Sequence, residues 1–102
     1  MPHSKRRKLP PIHPGEALQE ILKVGGQSAN ALALALRIPA NRITQILKGD
    51  RSITADTAMR LARYFSTSAE MWINLQAKYD LDLAEDALRE RIEREVLPRS
   101  AA

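Results

Sequence analysis

The chain has 102 residues, of which 44% are apolar and 27% charged, as expected for one globular domain with a single core. It has no cysteine, so a disulfide framework and a thiolate metal site are excluded. Its two histidines, His3 and His13, lack metal-ligand spacing, and no apolar run approaches the roughly 20 residues of a membrane span. We expect a cytoplasmic protein that uses no metal and no cofactor.

Charge is distributed unevenly along the chain, whose net charge is +4. Residues 1–51 hold nine Lys/Arg against three Asp/Glu, whereas residues 52–102 hold seven Lys/Arg against nine Asp/Glu. A basic first half and a mildly acidic second half indicate two different partners. A chance asymmetry, which small proteins often show, is the alternative before any motif is considered.

Residues 1–12 form a basic arm. Ser4–Lys8 contains four adjacent cations, and the Pro10-Pro11 pair cannot continue a helix, so we expect a disordered or extended segment. Three roles stay open for it: a plain solubility tail, a minor-groove or phosphate contact with DNA, and a contact with a protein partner.

Three short helices are predicted after the arm. The first begins at Pro14 and ends at the glycines of residues 25–26, the second is capped by Ser28, and the third begins at Pro39 and ends at Gly49. Their apolar positions recur at helical spacing and are Ala17, Leu18, Ile21 and Leu22, then Ala31, Leu32, Ala35 and Leu36, then Ile43, Ile46 and Leu47.

Two or three more helices are predicted in the second half. Thr54 caps the fourth, the string Thr67-Ser68-Ala69-Glu70 fits a capping box that begins the fifth, and a charged helix covers Asp82–Val96. The apolar positions are Ala58, Leu61, Ala62 and Phe65 in the fourth helix and Met71, Trp72, Leu75 and Tyr79 in the fifth. No useful strand-type alternation is present, so the fold class is all-α, with five or six short helices.

Residues 28–53 have the spacing of a helix-turn-helix, with a helix of about nine residues, a connection of about three and a second short helix. Two short helices cross closely only where small residues line their contact. The small residues available on the first motif helix are Ala31, Ala33 and Ala35. We expect Ile38 and Ile43 to fill the angle between the two helices.

The exposed face of the second motif helix is polar and free of acidic residues. Because Asn and Gln can form two hydrogen bonds with adenine and Arg two with guanine, the candidate base-reading residues are Ala40, Asn41, Arg42, Thr44 and Gln45. The candidate phosphate contacts are Ser28, Asn30, Lys48, Arg51 and Ser52. Helix-turn-helix geometry also occurs in proteins that bind no nucleic acid, but the acid-free face and the basic first half favour DNA.

Several strings of the sequence resemble HigA-type (VapI-related) antitoxins, within the phage-repressor and Xre class of helix-turn-helix regulators. The strings are Ile12–Glu16, Ser28–Ala33, Ile38–Ile43, Lys48–Ala58, Arg60–Phe65 and Ser68–Gln76. The resemblance extends over about residues 12–83. Its specific part is Arg-Ser-Ile-Thr-Ala-Asp-Thr-Ala followed by Trp-Ile-Asn-Leu-Gln, because a bare helix-turn-helix match is common.

Two positions depart from that pattern. Ala29 stands where such regulators usually carry a Gln that helps to anchor the phosphate backbone and to brace the reading helix. Arg37 stands where the turn usually carries Gly, and a left-handed backbone there would cost about 1 kcal/mol for a residue other than glycine. The departures indicate weaker affinity or altered contacts.

The resemblance implies a lambda-repressor-like helix-turn-helix domain of five to six helices over residues 13–80. An extra charged C-terminal helix over 81–97 and a tail over 98–102 follow it. The resemblance also implies a homodimer that binds an inverted-repeat operator in double-stranded DNA, represses its own operon and neutralises a small basic, mRNA-cleaving toxin of the RelE-like or HigB-like kind. Such a protein is expected in the bacterial cytoplasm, at the nucleoid when it is bound to DNA.

The predicted last helix combines an excess of acidic residues with a thin apolar stripe. It either lies solvated on the core or binds a partner, because so narrow a stripe needs another surface to cover it. A basic toxin would be repelled by the basic DNA face, so the acidic second half is the expected toxin surface. The candidate partner or dimer residues are Trp72, Asp82, Glu85, Leu88 and Ile92, although Trp72 also fits a core position.

Two alternative functions stay open. The chain is either a stand-alone repressor without a toxin or a toxin-binding module whose helix-turn-helix is only structural. An enzyme is not expected, because the sequence offers no nucleophile–base pair, no metal-ligand set and no phosphate-binding loop.

Overall fold

The computed structural model describes residues 9–100, so the basic run Ser4–Lys8 lies outside the described residues, as do the last two alanines. The described chain forms five helices and no strand, which confirms the all-α prediction. The helices are α1 (Pro14–Gly25), α2 (Ala29–Leu36), α3 (Ala40–Leu47), α4 (Ala55–Phe65) and α5 (Ala69–Glu95).

Side-chain caps begin four of the five helices. The hydroxyls of Ser28, Thr54 and Ser68 each accept a hydrogen bond from a backbone N–H in the first turn of α2, α4 and α5. The capping box predicted from Thr67 therefore lies one residue too early. The Thr67 hydroxyl instead accepts a hydrogen bond from the indole Nε1 of Trp72, at 3.0 Å.

The start of α1 is tied to the end of α3. His13 is buried and its Nδ1 accepts a hydrogen bond from the Gly15 N–H at 2.9 Å, so an imidazole caps α1. Pro14 occupies the first helical position, where its missing N–H is not needed. Gly15 packs so closely that a β-carbon there would overlap the Ile46 carbonyl oxygen. The string His-Pro-Gly thus docks one helix end directly onto the backbone of another.

Left-handed residues end four helices, and only two of them are glycines. Gly26 (φ 65°) and Gly49 (φ 83°) adopt this conformation after α1 and α3 without a steric cost. Arg37 (φ 63°) and Ser66 (φ 58°) adopt it after α2 and α4, where the β-carbon makes it unfavourable. The turn of the helix-turn-helix is therefore left-handed at Arg37. This is the conformation for which we expected a steric cost of about 1 kcal/mol in a residue other than glycine.

The core lies where all five helices meet. Its largest fully buried side chains are Trp72, Leu18, Leu32, Ile43, Ile46 and Leu61. Ile43 is fully buried and Ile38 packs against the core, as expected for the angle between α2 and α3.

The contact face of α2 differs from the predicted one. Ala31 and Ala35 are exposed, whereas Leu32, Ala33 and Leu36 are buried. The reason is helical geometry, since positions 32, 33 and 36 share one face and positions 31 and 35 are rotated away from it. Of the three small residues expected at the helix–helix contact, only Ala33 is there.

The last helix is longer than predicted. Instead of a break before a separate helix over Asp82–Val96, α5 runs for 27 residues without interruption, about 40 Å in length. No glycine or proline lies between Ala69 and Glu95, so nothing in the backbone ends the helix near residue 80. α5 packs against α4 and α1, its buried residues Trp72 and Gln76 lie in its first half, and its second half continues the same helix.

Candidate nucleic-acid interface

The amphipathic helix α3 presents the predicted base-reading residues at the surface. Ile43 and Ile46 are fully buried and fix the helix to the core. Ala40, Asn41 and Thr44 are exposed, and Arg42 and Gln45 are half-buried. The hydroxyl of Thr44 donates to the carbonyl oxygen of Asn41 at 3.1 Å.

Arg42 is partly engaged within the protein. Its guanidinium lies 3.6 Å from a carboxylate oxygen of Asp56, in the first turn of α4. The same carboxylate accepts hydrogen bonds from Nε of Arg60 at 3.1 and 3.2 Å, and Nη1 of Arg60 donates to the Leu36 carbonyl oxygen at 2.9 Å. The reading face therefore has no acidic residue on α3 itself, but Asp56 of α4 lies beside it.

Gln45 and Arg51 form the shortest polar contact of the interface. Nε of Arg51 donates to Oε1 of Gln45 at 2.7 Å. The sequence assigned these two residues to different tasks, base reading and phosphate contact. The fold brings them together because the chain turns back over the end of α3 at Gly49.

The predicted phosphate contacts lie at two places next to α3. Ser28 caps α2, Asn30 is exposed in its first turn, and α2 packs on α3. Lys48, Arg51 and Ser52 are exposed in the segment that leaves the end of α3. A helix N-terminus attracts anions, and lysine and arginine bind phosphate, so both places suit a nucleic-acid backbone.

One residue important to this interface was not predicted from the sequence. Gln76 is buried in α5, where its Oε1 accepts a hydrogen bond from the Ile53 N–H at 2.8 Å and its Nε2 donates to Asp80 at 3.0 Å. This bond fixes the exit of the segment that carries Arg51 and Ser52. The sequence feature that could have indicated it is the position of Gln76, one helical turn after Trp72 and on the same buried face of α5.

The candidate partner residues on α5 are separated by the structure into two groups. Trp72 has no exposed surface, so of its two predicted locations the core is the one observed. Asp82 is half-buried and forms an ion pair with Lys78 at 3.2 Å, whereas Leu88 and Ile92 are 40% and 48% exposed. Oε1 of Glu85 accepts a 2.8 Å hydrogen bond from Arg89, which raises the pKa of that guanidinium.

Residues 9–100 contain no group of three or more His, Asp or Glu side chains that is arranged to hold a metal ion. None of the five helices is both long and apolar enough to span a membrane.

Known proteins are similar to this chain in both sequence and fold. Residues 18–72 match the helix-turn-helix family. Virulence-associated protein I of Dichelobacter nodosus is 52% identical over 81 residues, which cover 78% of this chain and 75% of that protein. These proportions extend the match beyond the helix-turn-helix unit to most of both chains.

The fold of this chain matches solved structures over nearly their full length. An addiction-module antidote protein of the HigA family from Coxiella burnetii matches with a TM-score of 0.84 at 52% identity, covering 89% of this chain and 100% of that one. The antitoxin HigA of Pseudomonas aeruginosa, solved with the higBA promoter, matches with a TM-score of 0.84 at 46% identity, covering 88% and 99%. The chain therefore belongs to the HigA-type, VapI-related antitoxins of the Xre class of helix-turn-helix proteins.

Proposed function

We propose that this protein is a DNA-binding antitoxin that represses its own operon and neutralises a small basic toxin of the RelE-like class. The observation that carries the DNA-binding part is the polar surface of α3, with Asn41 and Thr44 exposed and Gln45 half-buried on the helix and Lys48 and Arg51 exposed after it. These side chains suit base edges and phosphates respectively. The relative solved with promoter DNA is 46% identical, which supports DNA binding by this chain.

A homodimer on an inverted repeat follows from the size of the reading helix. The eight residues of α3 extend for about 12 Å, which is enough for one half-site only. Helix-turn-helix dimers place two such helices in successive major grooves, roughly 34–36 Å apart. A symmetric operator would thus be read by two copies of the chain.

The toxin-binding part is supported by charge. Residues 78–95 of α5 hold seven Asp/Glu against four Lys/Arg, and they also expose Leu88 and Ile92. An acidic surface with apolar side chains suits a basic protein partner, since the charges steer association and the apolar groups supply affinity. A basic toxin on α5 would leave α3 free for DNA.

A pair of binding assays tests the proposal against its alternatives. We expect the purified protein to retard a fragment from its own upstream region at concentrations where shuffled DNA of the same composition stays free. We also expect it to protect mRNA from the toxin encoded beside it. Equal affinity for the two DNAs with intact toxin protection would identify a toxin-binding module with a structural helix-turn-helix. Operator binding without toxin capture would identify a stand-alone repressor.

A further inference from the structure

Backbone hydrogen bonds hold the segment that follows α3 and restrict the backbone that leads to Arg51. The Gly49 N–H donates to the Ile46 carbonyl oxygen at 3.0 Å, and the Asp50 N–H donates to the Gln45 carbonyl oxygen at 2.8 Å. This is the Schellman pattern, for which Gly49 supplies the left-handed residue. The side chain of Arg51 can therefore reach back to Gln45, in the last turn of α3.

The other side of this segment is also fixed. The Ile53 N–H donates to the buried amide of Gln76, only two residues after Arg51. Arg51 is thus held between two anchors, one on α3 and one on α5. Its hydrogen bond to Gln45 joins two side chains whose backbones are already placed, so the bond costs side-chain rotamer freedom but little backbone entropy.

The chemistry of this bond determines which end of the Gln45 amide faces outward. A guanidinium is a hydrogen-bond donor only, so it must meet the amide oxygen and not the amide nitrogen. A charge-assisted hydrogen bond of this kind is also stronger than a neutral one. With Oε1 held by Arg51, Gln45 presents the two N–H donors of Nε2 to a ligand.

We propose that Arg51 sets the base preference of Gln45 by holding its amide oxygen. A free glutamine can accept from N6 and donate to N7 of adenine, whereas a glutamine whose oxygen is turned toward Arg51 meets a base with its N–H donors, which suit the O6 and N7 acceptors of guanine. Adenine and cytosine would place amino groups against those donors. Arg51 is then a specificity-determining positioning residue that acts through Gln45, in addition to any phosphate contact. This inference rests on the proposed operator binding through α3.

The experiment compares full-length variants on operator fragments that carry each of the four base pairs at every position. The position read by Gln45 is the one where Gln45→Ala loses discrimination. The wild-type protein is expected to favour guanine over adenine there. Arg51→Ala is expected to reduce that preference about tenfold, within the range of one lost base contact. The matched control is Lys48→Ala, which removes a cation from the same segment and should weaken all fragments by one common factor.

A second variant tests the orientation without removing Arg51. Gln45→Glu keeps an oxygen acceptor for Arg51 but has no N–H donor, so it should lose the preference for guanine and bind cytosine relatively better. The proposal is overturned if the wild-type protein prefers adenine at this position, or if Gln45→Glu still prefers guanine. It is also overturned if Arg51→Ala weakens every fragment equally, as Lys48→Ala does. Wild-type affinity that is equal for operator and shuffled DNA would instead refute the proposed function, and this inference with it.

Discussion

At the scale of single residues, two glycines of α1 have opposite requirements. Gly15 packs against the Ile46 carbonyl, where a methyl group has no room, whereas Gly25 has no neighbour within 4 Å of the corresponding position. We expect Gly15→Ala to lower the free energy of unfolding by about 3 kcal/mol or more, because helix backbones must separate. Gly25→Ala should raise it by about 0.5–1 kcal/mol. Urea denaturation of both variants checks this, and equal effects would show that α1 and α3 do not touch there.

The sequence identified the residue types of the DNA face but not how they are connected. Apart from Ala40, each base-reading candidate follows from hydrogen-bonding capacity and helical spacing, which are local properties. The Arg42–Asp56 and Arg51–Gln45 contacts join residues 14 and 6 positions apart and depend on how α4 and the Gly49 turn lie against α3. Gln76 shows the same limit, because a polar residue on a buried helix face is explained only when its partner, the Ile53 N–H, is known.

At the scale of elements, the turn of the helix-turn-helix has backbone strain at Arg37 that a glycine would relieve. Arg37 has a φ of 63°, and the Ile38 N–H donates to the Ala33 carbonyl oxygen at 3.1 Å to close α2. We expect Arg37→Gly to raise the free energy of unfolding by about 1 kcal/mol, because glycine adopts this conformation freely. Thermal melting measures it. The control is Lys48→Gly, at a right-handed residue, where glycine should lower stability. A lower melting temperature for Arg37→Gly would contradict the account.

Helix boundaries that are marked by a local signal were easier to predict than a helix that continues past a change in composition. Ser28 and Thr54 are caps that act on their own first turn, so local chemistry reveals them. The continuation of α5 past residue 80 was missed because a change from apolar to charged composition was interpreted as a boundary. A change in composition alters which face of a helix is buried, whereas a helix ends at a capping residue, a glycine or a proline. The backbone between Ala69 and Glu95 contains nothing that ends a helix.

At the scale of the whole molecule, the two proposed activities lie on different helices, DNA binding on α3 and toxin binding on the second half of α5. We expect Asp82→Lys with Glu85→Lys to slow toxin capture on the order of tenfold at low salt, because these carboxylates would steer a basic partner. The ratio of operator to shuffled-DNA affinity should not change. Stopped-flow association measures the first, and titration of labelled DNA the second.

The control for that change is Glu16→Lys with Glu20→Lys, which alters the net charge equally on the exposed side of α1. If both double variants slow capture to the same degree, net charge and not the α5 surface governs association. If neither variant slows it, α5 is not the docking surface.

The affinity of Asn41→Ala for the operator and for shuffled DNA, at one salt concentration, tests the central claim that α3 reads bases. Asn41 is exposed in the first turn of α3, so its truncation leaves the core intact. We predict a loss of about 1–3 kcal/mol on the operator, or about 5- to 150-fold, with little change on shuffled DNA. An equal loss on both DNAs, or no loss on either, would contradict this account.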